Sequence, residues 1–263
     1  MELFSTKGLN PEIVKMVEND ALFQKMPSSL LGESNAKTIK GEKVGVLTGI
    51  LYLAPADTIG DKFNLCPYAG IAGCKTGCLN TAGRGAFDSV QKARIRKTLM
   101  YFQHHDQFMA TLARDIERLQ RKATKQGKTL AVRLNGTSDI QWEKVFFEYR
   151  GETVTILDVF PDLQFYDYSK VPARKVPANY HLTFSYSGAP KFQKVIKKQL
   201  DKNPKTNVAV VFQGTQPKMF FGRKLINGDD SDVRFLDAHF SIVALTAKGT
   251  AKTSNSPFIV KGA

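Results

Sequence analysis

Val44 to Ala54, VGVLTGILYLA, is almost wholly apolar and is bounded by Gly41 and Pro55. A run of that length without polar alternation fits a strand covered on both faces, as strands are in a parallel sheet. Further strand patterns read at Thr129–Leu134, Gln164–Ser169, His181–Ser187, Asn207–Gln213 and Phe240–Ala247. Helical patterns separate several of them. Asp88 and Gln91 read as a capping pair for a helix through Phe102, and His104-His105-Asp106 breaks it. Phe108, Leu112, Ile116 and Leu119 continue at helical spacing until Gly127, and a basic helix spans Lys191 to Lys202. Strands alternating with helices indicate a mostly parallel α/β fold. At 263 residues, one barrel-like domain over residues 44–247 accounts for the chain. Residues 1–43 read as an N-terminal helical arm, with a helix starting at Asn10-Pro11 and a polar linker at Ser34–Lys43. Residues 248–263, rich in Ser, Thr, Gly and Pro, read as a partly disordered tail.

All three cysteines, Cys66, Cys74 and Cys78, fall in the stretch NLCPYAGIAGCKTGCLNTAGR that follows the first strand, with seven and then three residues between them. In α/β sheets chemistry gathers on the loops beyond the carboxyl ends of strands, and a thiolate is both a metal ligand and a nucleophile. Three readings stand side by side. A disulfide with a spare thiol sits poorly with an odd count and no secretory pattern. A zinc site needs a fourth ligand, and the nearest histidines are His104 and His105, which read as a helix junction. An iron–sulfur cluster on three thiolates leaves one iron open to another ligand.

The second informative stretch is Asn135-Gly136-Thr137-Ser138-Asp139, into which the strand at Thr129–Leu134 runs. A small-residue turn with an amide, two hydroxyls and a carboxylate approaches a ligand closely, and Asp139 is suited to an ammonium group. The same residues also suit an ordinary strand-to-helix turn with Ser138 or Asp139 as N-cap. His181–Ser187 ends in a hydroxyl-rich turn carrying Ser185 and Ser187. Asn227–Asp232, NGDDSD, lacks the distal Glu and ligand order of a calcium loop and reads as a polar loop projecting toward a site. Tyr166 and Tyr168 read as strand packing.

A formal charge of +14 favours polyanionic partners, a nucleotide or nucleic acid. No apolar run reaches the length of a membrane span, so no membrane association is expected and the reading is of a soluble intracellular protein. Neither a Walker loop nor a dinucleotide Gly-x-Gly-x-x-Gly follows a strand.

The segments SNAKTIKG (Ser34–Gly41), LYLAPA (Leu51–Ala56), the cysteine block, VRLNGTSDIQWE (Val132–Glu143), QFYDYSK (Gln164–Lys170) and NGDDSDVRFLD (Asn227–Asp237) make the chain resemble the phage gene product 88 family. That resemblance implies a phage-encoded protein working in the host cytoplasm. The order of cysteines after the first strand, a polar turn after the second and hydroxyls after the fourth also resembles the partial (β/α) barrel of radical S-adenosylmethionine enzymes. This second resemblance implies about six mostly parallel strands and a [4Fe-4S] cluster on Cys66, Cys74 and Cys78. It further implies that S-adenosylmethionine binds with its amine near Gly136–Asp139, beside Asn135, and its ribose near Ser185 or Ser187. The family spaces its cysteines with three and then two intervening residues and places an aromatic residue where Gly77 stands here. The alternative is a nucleic-acid-binding phage protein with a structural zinc site.

Overall fold

A computed structural model of the chain describes residues 3–33, 39 and 41–262. Most of the polar linker expected at Ser34–Lys43 lies outside the described residues. Each expected strand is present: β2 (Val46–Leu51), β3 (Thr129–Arg133), β8 (Val208–Gln213) and β11 (Ile242–Thr246) with trimmed ends, β6 (Gln164–Ser169) with the expected bounds, and β7 (Tyr180–Ser185) shifted toward its start. They are parallel, and each pairs with the next in the chain order just given. The fold is thus a mixed α/β structure around one large, mostly parallel sheet.

Several further strands carry little local signal in the sequence. β1 (Leu31–Gly32) pairs antiparallel with β2, and a separate hairpin is formed by β4 (Phe146–Tyr149) and β5 (Glu152–Thr155). After β8 the chain makes the short β9 (Met219–Phe220) and then β10 (Arg223–Asn227), which lies parallel to β11 on its outer side. The sequence RKLIN is short and opens on two basic residues, so it has neither the length nor the alternation that marks a strand. The tail, expected to be partly disordered, is ordered. Ala251, Phe258 and Ile259 are buried, and β12 (Val260–Lys261) pairs with β8. Three apolar anchors outweigh a composition that reads as disordered.

The helices are α1 (Pro11–Asn19), α2 (Ala69–Ala72) in the cysteine loop, α3 (Asp88–Gln103), α4 (His105–Lys125), α5 (Ile156–Val159) and α6 (Gln193–Lys202). α1 begins with its proline at the first helical position, where the missing N–H costs nothing. α3 carries no side-chain cap. Gln91 instead donates to the Asn80 carbonyl at 3.0 Å and accepts from the Asn80 amide, so the expected Asp88–Gln91 pair is replaced by a tie to the cysteine loop. No helix follows the Asn135–Asp139 turn directly. The chain passes through a 3-10 turn, Trp142–Lys144, and the β4–β5 hairpin before α5, which Thr155 and Asp158 cap reciprocally.

Alternation along the strands sorts the sheet's two faces. Leu130, Val132 and Leu134 join the main core with Leu112, Ile116 and Leu119 of α4, whereas Ala131 packs on the other face with Val46, Tyr166 and Val233. On β8, Val208, Val210 and Phe212 pack with Phe192 and Ile196 at α6, while Ala209 and Val211 face a cavity. The first 33 residues contribute Phe4, Ile13, Val17, Phe23 and Leu30 to the main core. Among the described residues no helix is long and apolar enough to cross a membrane.

Candidate functional site

The cavity lies at the carboxyl ends of the parallel strands and has a volume of about 250 Å³. Cys66, Cys74 and Cys78 line it together with Asn135, Gly136, Thr137, Ser138, Asp139 and Ser185. The fold thereby gathers three loops that are distant in the chain around one space. The loop after β10 contributes Gly228, Asp229, Ser231 and Asp232, as its polar composition suggested, and the docked tail contributes Ala251 and Phe258. Ser187 stands outside the lining. It is fully buried, donates to the Ala72 carbonyl at 2.6 Å and accepts from the Ala189 N–H, so it fastens the cysteine loop to the end of β7.

The three cysteines are free and half-buried. Cys66 accepts from the Ala56 N–H at 3.3 Å and its thiol points to the Thr137 carbonyl at 3.8 Å. Burial pushes the Cys66 thiol up to about 12, and nearby Asp139, Cys78 and Cys74 push the same way. Burial also raises Cys78, opposed by a hydrogen bond from the Asn80 N–H and by the charges of Arg94 and Lys170. These two thiols are protonated at neutral pH. Among the described residues, no three His, Cys, Asp or Glu side chains stand in an arrangement that would hold a metal ion. His104 and His105 lie at the α3–α4 junction, bonded to the carbonyls of Leu3 and Tyr101, and do not line the cavity.

The turn beyond β3 is built by its own hydrogen bonds and by contact with β2. The Asn135 amide oxygen accepts from the Ser138 hydroxyl (2.8 Å), the Ile140 N–H (2.9 Å) and the Trp142 indole (3.2 Å), and its NH2 group donates to the Ile140 carbonyl and the Tyr180 hydroxyl. Thr137 donates to the Leu53 carbonyl and the Asp139 N–H to the Leu65 carbonyl, which stitches the turn to the start of the cysteine loop. Gly136 is required by close approach, since a Cβ there would lie 2.6 Å from the Leu51 carbonyl oxygen and 2.7 Å from the Tyr52 ring. Neither Ser138 nor Asp139 caps a helix. Asp139 accepts from the Ser169 hydroxyl and the Lys170 N–H, both at 2.7 Å, with Arg174 at 3.6 Å. Burial raises its carboxyl, and those donors and the charges of Arg174 and Lys170 oppose the rise.

Two groups that sequence patterning does not mark are central. Lys170 follows β6 directly and is buried, with its Nζ donating to Ser185 Oγ at 2.5 Å and lying 4.4 Å from the Phe258 ring centre. Burial lowers its pKa, while Cys74, Asp139, Cys66 and Cys78 all favour its charge. The chain therefore sets one buried amine beside three thiols. Arg133, at the end of β3, reaches both Asp232 oxygens at 3.3 and 3.2 Å and lies 4.8 Å over the Tyr168 ring. Burial opposes its charge, but Asp232, Tyr168 and Asp167 hold it on, and the pair clamps the 228–237 loop over the strand ends. The one signal for Lys170 is its position at a strand's carboxyl end, and Arg133 and Asp232, 99 residues apart, share no local pattern.

The fold and cavity define an α/β protein whose candidate site sits at the carboxyl ends of parallel strands and is ringed by three free thiols and a buried lysine. Residues 29–262 match the family described as gene product 88, and the chain belongs to that phage family. No curated protein and no solved structure matches it.

Proposed function

We propose that the cavity is the cofactor site of an iron–sulfur protein of the radical S-adenosylmethionine kind, with Cys66, Cys74 and Cys78 as ligands of a [4Fe-4S] cluster. The observation that carries the reading is that all three thiols line one cavity at the carboxyl ends of parallel strands, together with the Gly136–Asp139 turn and Ser185. The side-by-side order of β2, β3, β6, β7, β8 and β11 supports a partial barrel as the form of the sheet. The donor set fits in kind and number: three thiols face the cavity, and the nearest histidines are engaged elsewhere. That favours a cluster with one iron free of protein ligands over tetrahedral zinc. Since the thiols do not stand around one point, loading draws the Cys66–Cys78 segment together and releases the protons that burial holds on the sulfurs.

A cluster held by Cys66, Cys74 and Cys78 would supply one-electron reduction to a sulfonium bound beside it, chemistry that belongs to the cofactor. The protein's own residues do the rest. Lys170 places a buried positive charge beside the sulfurs and fixes the Ser185 hydroxyl by donating to its oxygen. The Gly136–Asp139 turn and Ser185 bound the space for the organic part of the cofactor, and Phe258 of the docked tail excludes water from one wall. The charge of +14 favours a nucleotide or nucleic acid as substrate.

Anaerobic purification with iron, sulfide and zinc analysis tests the reading. Iron and acid-labile sulfide in equal amounts, with visible absorption lost in each of Cys66→Ala, Cys74→Ala and Cys78→Ala, is the expected result. Stoichiometric zinc without sulfide, or no iron retained after reconstitution, would overturn it and leave the structural-zinc alternative or neither.

A further inference from the structure

Residues 191–224 carry nine basic side chains (Lys191, Lys194, Lys197, Lys198, Lys202, Lys205, Lys218, Arg223, Lys224) and one acid (Asp201), a net +8 of the chain's +14. The eight lysines are all exposed. Among the described residues only Lys197 of these pairs with a carboxylate, that of Asp201 at 2.6 Å. Lys194, Lys198 and Lys202 recur every fourth residue on α6, which puts them in one stripe about 12 Å long. Ile196 and Gln199, on the other side of the helix, are buried.

The stripe runs into a pair of exposed aromatic rings. Arg223, at the start of β10, donates to the carbonyls of Thr206 (2.6 Å) and Pro204 (2.8 Å), just past the end of α6, and its guanidinium lies 4.2 Å from the Phe240 ring centre. Across the β9–β10 turn, Phe221 rests edge-on against Tyr186 and Phe220. Phe221 and Phe240 each remain 51% exposed. Both also have positive φ, +50° and +62°. A bulky residue in the left-handed region costs about 1 kcal/mol or more and an exposed ring gains little burial in return, so such positions ordinarily go to Gly or Asn. Phe221 and Phe240 thus leave half of their surface to solvent, at backbone positions that bulky side chains seldom take, beside the lysine stripe.

We propose that α6, Phe240 and the β9–β10 turn form a binding face for single-stranded nucleic acid, with the lysine stripe tracking phosphates and Phe221 and Phe240 stacking on bases. Interleaved cations and exposed rings are the recognition chemistry of such strands, since every base has a π-face and the backbone supplies regular charge. The face is on the helix-covered side of β8, whereas Ala209 and Val211 of the same strand point into the cavity. This face rests on the polyanion part of the proposed function and does not depend on the cluster.

Fluorescence anisotropy of the full-length protein with a labelled oligo-dT strand, between 50 and 200 mM salt, tests the proposal. Four neutralised phosphates on a single strand weaken binding by about 50-fold over that range. The variant K194E/K198E/K202E is expected to lose at least 30-fold in affinity at low salt, while K194R/K198R/K202R keeps it. Phe221→Leu, which preserves bulk and removes the aromatic face, is expected to lose roughly 5- to 100-fold. Salt-independent binding, wild-type binding by the triple glutamate variant, or wild-type binding by Phe221→Leu with Phe240→Leu would overturn the proposal. So would the absence of oligonucleotide binding alongside lysine-dependent sedimentation with phosphatidylserine vesicles. Cys66→Ala protein is expected to bind the strand as well as wild type does, and the triple glutamate variant to keep its iron, so failure of one reading is visible separately from failure of the other.

Discussion

Gly136→Ala separates two reasons for a glycine in the turn beyond β3. If the glycine is there to admit a ligand, a methyl group should leave the ligand-free protein's stability unchanged. The contacts around it point instead to packing, because the added Cβ would meet the Leu51 carbonyl oxygen at 2.6 Å, Tyr52 Cδ1 at 2.7 Å and Ile50 Cγ2 at 2.8 Å. The first of these is backbone and cannot swing aside. Overpacking of this sort costs roughly 1–3 kcal/mol, and the strain falls on the bond from the Gly136 N–H to that same Leu51 carbonyl, 2.9 Å long and worth about 1 kcal/mol. Replacing glycine restrains the unfolded chain and returns about 0.5–1 kcal/mol. The expected net loss is therefore roughly 1–3.5 kcal/mol. Urea denaturation of metal-free, reduced protein reads it through Trp142, the chain's one tryptophan, which is fully buried and donates to Asn135, the residue next to the substitution. A loss under about 0.5 kcal/mol would refute the packing argument.

Asn135→Ala leaves the buried groups of Ser138, Ile140, Trp142 and Tyr180 without their shared partner, and should destabilise the protein by roughly 3 kcal/mol or more, read in the same denaturation assay. Lys97, which donates to the Leu30 carbonyl at 2.6 Å, is lowered by burial to about 8 against an ordinary 10.5, with Asp115 opposing the fall and Arg94 and Arg96 adding to it. Between those two values the unfolded chain binds more protons, so this residue makes stability rise with pH and exerts its full cost below about pH 8. Lys97→Met should be more stable than wild type at pH 7 by on the order of 1–2 kcal/mol, after the lost bond is set against the removed burial cost, and the gap should shrink toward pH 10; a gap independent of pH would count against it. Lys170→Met removes a cation that favours ionisation of Cys78 and should slow alkylation of that thiol several-fold at pH 8, as read by mass spectrometry; an unchanged rate would contradict the charge arrangement.

The sheet was legible because its central strands are buried on both faces, and burial of that kind writes itself into a few contiguous residues. Val46–Leu51 and Val208–Gln213 show it plainly, since all but one of their residues are buried. The α3–α4 break at His104 and the stop at Gly127, whose φ is +61°, are equally local events. β10 and the tail were not legible for the opposite reason. Arg223–Asn227 becomes a strand only because β11 offers it a parallel edge, and residues 249–261 are ordered only because the cavity wall and β8 receive Phe258 and Val260. No window of sequence contains those partners.

The same distinction governs the site. Side chains gathered by short spacing, the three thiols and the Asn135–Asp139 turn, are marked by the sequence and do meet at one cavity. Their local pattern does not say which atoms remain free to act, and the structure divides them. Asn135, Ser138 and Asp139 have their polar atoms committed to one another and to Trp142, Ile140, Ser169 and Lys170, and Gly136 is committed to Leu51. The turn is therefore a scaffold that holds the cysteine loop against β3 through Thr137–Leu53 and Asp139–Leu65. What the cavity presents for chemistry is the sulfur atoms with the Lys170 amine among them, a combination that arises from a strand end and a loop far apart in the chain. The desolvation that keeps Cys66 protonated is the same desolvation that would make a thiolate–cation or thiolate–metal interaction strong once the proton leaves. For the proposed cluster, loading and loss of protons would be one coupled event, so iron uptake by the wild-type protein should weaken steeply as pH falls.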